Sequence, residues 1–259
     1  VWQRTGSQPG FNLGFADGVK LRDLLGSGKK VTVTLNYQSE TVPGRSGDSV
    51  LGVLPGSTDE NIIILAHIDG YFDSASDNAS GVAVMMGLIK HFAAIPQAQR
   101  RRNLIFMSSL GHHSGPGARW LHDEKESAMA DTTMLINLEH VALVRTKYWG
   151  PELRMMNAVS PMRWWVWGSQ DMLDVVLDAF QSFNVATTGD MENRASGEMG
   201  SVARDVPSMQ VITSPEIKHT EQDTAEWVPA VGLEQIGRAY AKIIDGVNRL
   251  DKSAMLPKL

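Results

Sequence analysis

Residues 62–94, IIILAHIDGYFDSASDNASGVAVMMGLIKHFAA, read as a strand, a loop and a helix in direct succession. Residues 62–66 (IIILA) form an unbroken apolar run, as expected of a strand covered on both faces. Over 79–94 the residues Val82, Met85, Met86, Ile89 and Phe92 recur at helical spacing. The same alternation continues outward, with further short strands at 104–108, 134–138 and 208–213. Met172, Val176, Phe180 and Phe183 mark one amphipathic helix; Leu233, Ile236, Tyr240, Ile243, Val247 and Leu250 mark another, each with a single apolar stripe. Such alternation implies an α/β fold, a three-layer α/β/α sandwich around a mostly parallel central sheet.

Upstream the pattern differs. Residues 17–25 predict a short helix closed by Gly26, and the Val and Thr alternation of 30–37 (KVTVTLNY) predicts a half-buried strand. Residues 41–48 are rich in Pro, Gly and Ser, so a boundary is expected there, separating 1–47 from a domain at 48–259. The chain contains no internal repeat and no low-complexity tract.

With 259 residues, 42% hydrophobic and 20% charged, the chain is long enough to bury a full core. Lys and Arg number 24 against 29 Asp and Glu, a net charge of -5. That balance argues against a nonspecific polyanion binder, and no nucleic-acid partner is expected. The basic run Arg100, Arg101 and Arg102 reads as a solvated loop ahead of a strand. Absence of cysteine removes disulfides, thiolate metal sites and a Cys nucleophile, so any metal must be held by His, Asp and Glu. No apolar stretch is long enough to span a bilayer, and no membrane partner is expected. The opening VWQRTGSQPG lacks the charged head and apolar run of a signal peptide. Position 1 is Val rather than Met, so a trimmed chain is expected, from which an export signal could already have been removed.

In a sheet of this kind ligands gather beyond the carboxyl ends of the strands. His67 and Asp69 follow the first strand, Gly111, His112 and His113 the next, Glu139 and His140 the third, and His219 lies beyond the last. Asp77 stands in the loop before a helix. Singly each has a bland explanation: a loop His is usually a surface group, and Asp77 would serve as an N-cap. Together, several strand ends offering imidazole or carboxylate suit a hard or borderline cation bound from separate segments.

The runs AHIDG (66–70), SDNASGVA (76–83), INLEH (136–140) and HTEQDT (219–224) resemble, in order and approximate spacing, the metal-site motifs of the M28 zinc aminopeptidases. The resemblance extends from about Val50 to Leu250. Residues 17–37 are similar to the segment with which a protease-associated domain rejoins the catalytic domain in some members, so 1–47 is expected to be the remnant or closing segment of such an insertion and its linker. The resemblance implies two zinc ions: His67 binds one, Asp77 bridges both, Glu139 completes the first site and His219 serves the second. Asp69 would fix the orientation of the His67 imidazole. Two such ions, about 3.5–4 Å apart, polarise a scissile carbonyl and lower the pKa of a water.

One motif departs from the family. Where members carry a Glu-Glu pair, the first a general base and the second a zinc ligand, this chain has LGHHSGPGAR (110–119). Without a gap the base position falls on Gly111 and the ligand on His112, keeping the spacing from Asp77; with one residue deleted, His112 takes the base position and His113 the ligand position. Imidazole is a good zinc ligand, whereas glycine cannot replace a base whose contribution is about 10²- to 10⁴-fold. His113, His140 and Glu198 in SGEMGS (196–201) are the candidate stand-ins.

Tyr71 and Phe72, between His67 and Asp77, are candidates for a substrate-pocket wall. MRWWVW (162–167), with Met155 and Met156 upstream, suits either core packing or an apolar pocket. Asp190 and Glu192 suit either a solvated loop or a receptor for a free α-amino group. The resemblance implies a metal-dependent hydrolase of an amide bond in a peptide or amino-acid conjugate, with peptidase activity altered or reduced by the missing Glu, and secreted or periplasmic. A catalytically silent binding module and a glutaminyl-cyclase-like acyltransferase are the alternatives.

Overall fold

A computed structural model describes residues 11, 13–36, 38, 40, 42–110, 112, 116–189 and 194–257. Contacts divide the chain into two compact units, Val1–Gly47 with Thr146–Met156, and Asp48–Arg145 with Asn157–Leu259.

In the first unit helix α1 spans Phe15–Gly26, slightly longer than expected, and buries none of its residues. The Phe15 ring lies 4.4 Å from that of Tyr148. Residues 30–36 do not form the expected strand, and Tyr37 lies outside the described residues. Val33 and Leu35 are more than half exposed. β-branched alternation favours a strand only when a neighbour supplies the half-buried surface it fits, and among the described residues none pairs with this segment. Strands β5 (Val144–Trp149) and β6 (Glu152–Val159) pair as a two-stranded sheet, turning at Gly150, whose φ of 60° suits glycine.

The second unit holds a seven-stranded sheet built from β1 (Val50–Leu54), β2 (Asn61–His67), β3 (Asn103–Ser109), β4 (Thr132–Leu138), β7 (Met162–Trp167), β8 (Thr187–Thr188) and β9 (Ser208–Ile212). Their order is β1-β3-β2-β4-β9-β7-β8. The inner four, β3-β2-β4-β9, are parallel; β1 and β7 run antiparallel to β3 and β9. Helices α2 (Ser80–Ala93), α5 (Gln170–Ser182) and α6 (Ala230–Val247) accompany them, with the shorter α3 (Pro116–Asp123), α4 (Lys125–Ala128) and α7 (Lys252–Met255).

Strand β2 shows why the sheet has two covered faces. Side chains alternate along a strand: Ile62, Ile64 and Ala66 join Leu88, Phe92, Val176, Phe180, Ile236 and Tyr240 of α2, α5 and α6, while Ile63 and Leu65 join Leu121 of α3, Trp165 and Met199 on the other face. Each fully buried Ile or Leu contributes roughly 1.5–3 kcal/mol, so a polar residue on either face would be costly. The tryptophans of β7 belong to this packing: Trp165 is buried, with Trp164 and Trp167 half-buried against the two clusters.

Arg100–Arg102 is not a solvated loop. The Arg100 and Arg102 side chains are buried. Arg102 pairs with Glu60 (2.8 Å) and donates to the carbonyls of Val247 and Leu250, where α6 ends. Arg100 donates to Pro55, Phe92 and Ile95, where α2 ends. The last carbonyls of a helix lack intrahelical donors and carry its negative pole, and guanidinium supplies both hydrogen bonds and charge. Among the described residues no helix is long and apolar enough to cross a membrane.

Candidate metal centre

All four inner strands end at one edge, since parallel register pairs His67 at the end of β2 with Ser109 at the end of β3. From that edge the loops converge on Asp77. The Asp77 carboxylate is reached from two sides. Its Oδ1 lies 3.0 Å from His67 Nε2 and 2.9 Å from His140 Nε2; its Oδ2 lies 2.9 Å from His219 Nε2 and 3.5 Å from His112 Nε2. Asp77 is therefore not an N-cap of α2, which begins after Ala79 without a side-chain cap.

Each segment is held by hydrogen bonds that account for its motif. In SDNASG the amides of Ser76 and Asp77 donate to the buried carboxylate of Asp223 (2.7 and 3.2 Å), so the Asp of HTEQDT supports the turn carrying Asp77. Asn78 donates to the Leu138 carbonyl at the end of β4 (2.8 Å) and accepts from the amides of Gly81 and His140. Ser80 donates to Ser76 and accepts from Val141. At Gly81 a Cβ would stand 2.3 Å from the Leu138 carbonyl oxygen, so only glycine permits α2 to start so close to β4. Neither Asn78 nor Asp223 is singled out by residue type alone; their positions inside the motifs were the signal.

The imidazoles are oriented through their other nitrogens. His67 Nδ1 donates to the Asp69 backbone carbonyl (2.8 Å), so Asp69 meets the imidazole through its main chain, while its carboxylate lies 3.8 Å from Nδ1 and accepts from the His112 amide (2.9 Å). His140 Nδ1 donates to the Thr213 carbonyl (2.8 Å). Because a carbonyl can only accept, both rings carry a proton on Nδ1 and present Nε2 to Asp77. The His112 ring bridges the two halves, with Nδ1 3.3 Å from His67 Nε2 and Nε2 2.8 Å from His219 Nε2. His140 and His219 have φ of 47° and 62°, left-handed conformations that cost about 1–3 kcal/mol each in non-glycine residues and cluster at functional sites.

Carboxylates close the cluster. Glu139 is buried, with Oε2 accepting from Asn137 (2.9 Å) and Oε1 3.6 Å from His140 Nε2. Gly197, at φ 62°, passes so near that a Cβ there would stand 2.0 Å from Glu139 Oε2. Next to it Glu198 is buried, its Oε1 3.9 Å from His112 Nδ1. Burial would raise the Asp77 carboxyl, but His140 and His67 at contact distance and the field of His112 hold it far below the usual carboxylate range. For His67, burial acts downward, yet contact with Asp77 and the fields of Glu198, Asp77 and Glu139 push it up to about 9. Burial and the negative field of Glu198 push Glu139 up to about 7.

The raised His67 and Glu139 values reflect carboxylates crowded into one buried cluster. Among the described residues Asp77 Oδ1 and Oδ2, Glu139 Oε1 and His140 Nε2 are buried with no partner in hydrogen-bond geometry, so their lone pairs face shared space. Ligands about 2.0–2.1 Å from a tetrahedral zinc lie roughly 3.3 Å from one another; the separations around Asp77 run from 2.9 to 3.5 Å. The donor set fits zinc. Among the described residues three groups could each hold an ion: His67, Glu139 and His140; His67, His112 and Glu198; and Asp77, His112 and His219.

Of the residues expected at the site, His67, Asp69, Asp77, His112, Glu139, Glu198 and His219 are brought together, and His140 joins them. Gly111, His113, Asp190 and Glu192 lie outside the described residues. Tyr71 stands edge-on to the His219 ring (4.9 Å) and the His112 ring (5.7 Å), whereas Phe72 is exposed and makes no ring contact among the described residues. Met155 and Met156 are exposed on β6. A groove of about 910 Å³ between α2, α5 and α6 contains none of the site residues.

The zinc aminopeptidase BSAP of Bacillus subtilis has a similar structure, with a TM-score of 0.60 at 15% identity over 80% of this chain and 52% of that one. The aminopeptidase LapA of Legionella pneumophila gives 0.62 at 15% identity over 78% and 56%. A glutaminyl cyclase from an Acidobacteriales bacterium gives 0.58 at 13% over 78% and 74%. At these identities the likeness is one of fold, and this chain spans about half the length of the two aminopeptidases. No curated protein sequence matches it significantly. The sequence model of peptidase family M28 matches residues 49–244, three quarters of the chain, which therefore belongs to that family.

Proposed function

We propose that this protein is a zinc-dependent hydrolase of an amide bond in a peptide or amino-acid conjugate, with two metal positions sharing Asp77. One observation carries the reading: the two oxygens of a single buried carboxylate each face a different pair of imidazoles, His67 with His140 and His112 with His219. His67, Asp77 and Glu139 would hold one ion, and Asp77, His112 and His219 the other. When bound, zinc polarises a carbonyl and lowers the pKa of water.

The remaining work falls to the chain's own groups. Asp69 positions both sides at once, through its carbonyl on His67 and its carboxylate on the His112 amide. Glu198 replaces the Glu absent at position 111: a buried carboxylate facing the cluster from a different loop, it accepts the proton of the attacking water and returns it to the departing amine. Tyr71 walls the substrate side. We also read residues 1–47 as the closing segment of a protease-associated insertion, and the protein as exported.

The test is hydrolysis of a panel of aminoacyl and peptide amides by zinc-loaded protein, wild type against Glu198→Gln. The variant should keep its zinc and lose about 10²- to 10⁴-fold in kcat. Unchanged kcat would remove Glu198 from the base role. A zinc-loaded wild type inert on every amide would favour the silent binding module.

A further inference from the structure

The resemblance assigns three protein ligands to the first metal position, and the structure offers a fourth. His140 is fully buried, held at φ 47°, and its Nδ1 proton is committed to the Thr213 carbonyl. Among the described residues its Nε2 is buried without a partner in hydrogen-bond geometry, although Asp77 Oδ1 lies at 2.9 Å and Glu139 Oε1 at 3.6 Å. A proton on that nitrogen would have no acceptor in line, and a bare lone pair against two carboxylate oxygens is repulsive. A cation between them satisfies all three atoms.

We infer that His140 is a metal ligand, completing the first position as His67, Asp77, Glu139 and His140. This rests on the two-metal reading above and sharpens it. Four protein ligands make a closed site of the structural kind, whereas Asp77, His112 and His219 leave the second position one ligand short, as in catalytic sites. The two positions are thereby divided: the first anchors Asp77, and the second receives substrate.

Nuclear magnetic resonance of histidine-labelled protein loaded with a spin-active cadmium isotope decides the point without a variant. Four of the seven histidines, His67, His112, His140 and His219, should show cadmium–nitrogen coupling. Coupling at the other three with none at His140 overturns the proposal and leaves the two-metal reading intact; a single cadmium signal, or none, sinks that reading instead. In parallel, His140→Gln should weaken zinc binding at the first position about 10- to 100-fold or more while binding at the second persists, as measured by chelator competition. Unchanged affinity at both positions also overturns it.

Discussion

On the Oδ1 side of Asp77, His67, Glu139 and His140 are at most 1% exposed and stand at the ends of β2 and β4. On the Oδ2 side, His112 and His219 come from loops, and the His219 side chain is 16% exposed. Strand ends in the middle of a sheet are fixed by ladders on both flanks and by core packing, so groups carried there are set at low entropic cost. Loop residues lack such ladders; here the His112 amide donates to the Asp69 carboxylate, 43 positions away in the sequence, and His219 takes a left-handed backbone. A deep, rigid half and a shallow, reachable half are what a site needs if one side is to hold and the other to work.

The largest perturbation removes the group both halves share. Asp77→Ala should abolish binding of both ions and reduce amide hydrolysis to background, measured by metal content and turnover. Retention of either ion would mean that the halves do not depend on one carboxylate.

Gly197→Ala should strike the deep half selectively. Its Cβ would meet Glu139 Oε2 at 2.0 Å from a backbone at φ 62°, so strain and overpacking together should cost about 2–4 kcal/mol. Thermal unfolding of the metal-free protein would report the loss, and zinc titration should show the first position weakened more than the second. Equal weakening of both would blur the distinction.

Acidity should separate the metal-free from the loaded protein. The folded His67 value of about 9 lies above its ordinary 6.5, so the stability it contributes is complete below pH 6.5 and lost as pH rises toward 9. Glu139, raised from 4.5 to about 7, contributes stability below pH 4.5 that is lost as pH rises through 7. Both push the metal-free protein toward lower stability on the alkaline side, while metal binding, which displaces these protons, strengthens. The rise in Tm on adding zinc should therefore be greater at pH 8.5 than at pH 6; a smaller rise would contradict the protonation assigned to the deep half.

The smallest effect is expected at the rim of the shallow half. Tyr71→Ala removes a ring standing against His112 and His219, and should raise KM several-fold, or about 1 kcal/mol of binding, with zinc content unchanged. A loss of zinc would make Tyr71 a support of the imidazoles rather than a wall.

Most of the α/β core was legible because the features that encode it are local. The run IIILA, the helical stripe of 79–94 and the stripe of α6 each state their burial without reference to the rest of the chain. The strand expected at 30–37 failed for the opposite reason, since alternation describes one face of a pair and carries no information about whether the partner exists. Arg100–Arg102 was misread as solvated because the carbonyls it serves belong to Phe92 and Val247, residues on two different helices. At the site, His67, Asp77, Glu139 and His219 were found through motif spacing. Glu198 was one of three candidates for the base, and His140 was named both as a strand-end imidazole and as another of those candidates; that both face the cluster is a matter of distances.

What the sequence determined by itself is the inventory and its order: which strands end in imidazole or carboxylate, and that no thiol competes for a metal. Tertiary structure alone decided which nitrogen of each ring faces Asp77, which carboxylate lies at the cluster in the absence of a Glu at position 111, and that His140 turns inward. Those outcomes depend on acceptors contributed from far along the chain, the Thr213 carbonyl above all, and a hydrogen bond between distant segments leaves no periodic trace in either of them.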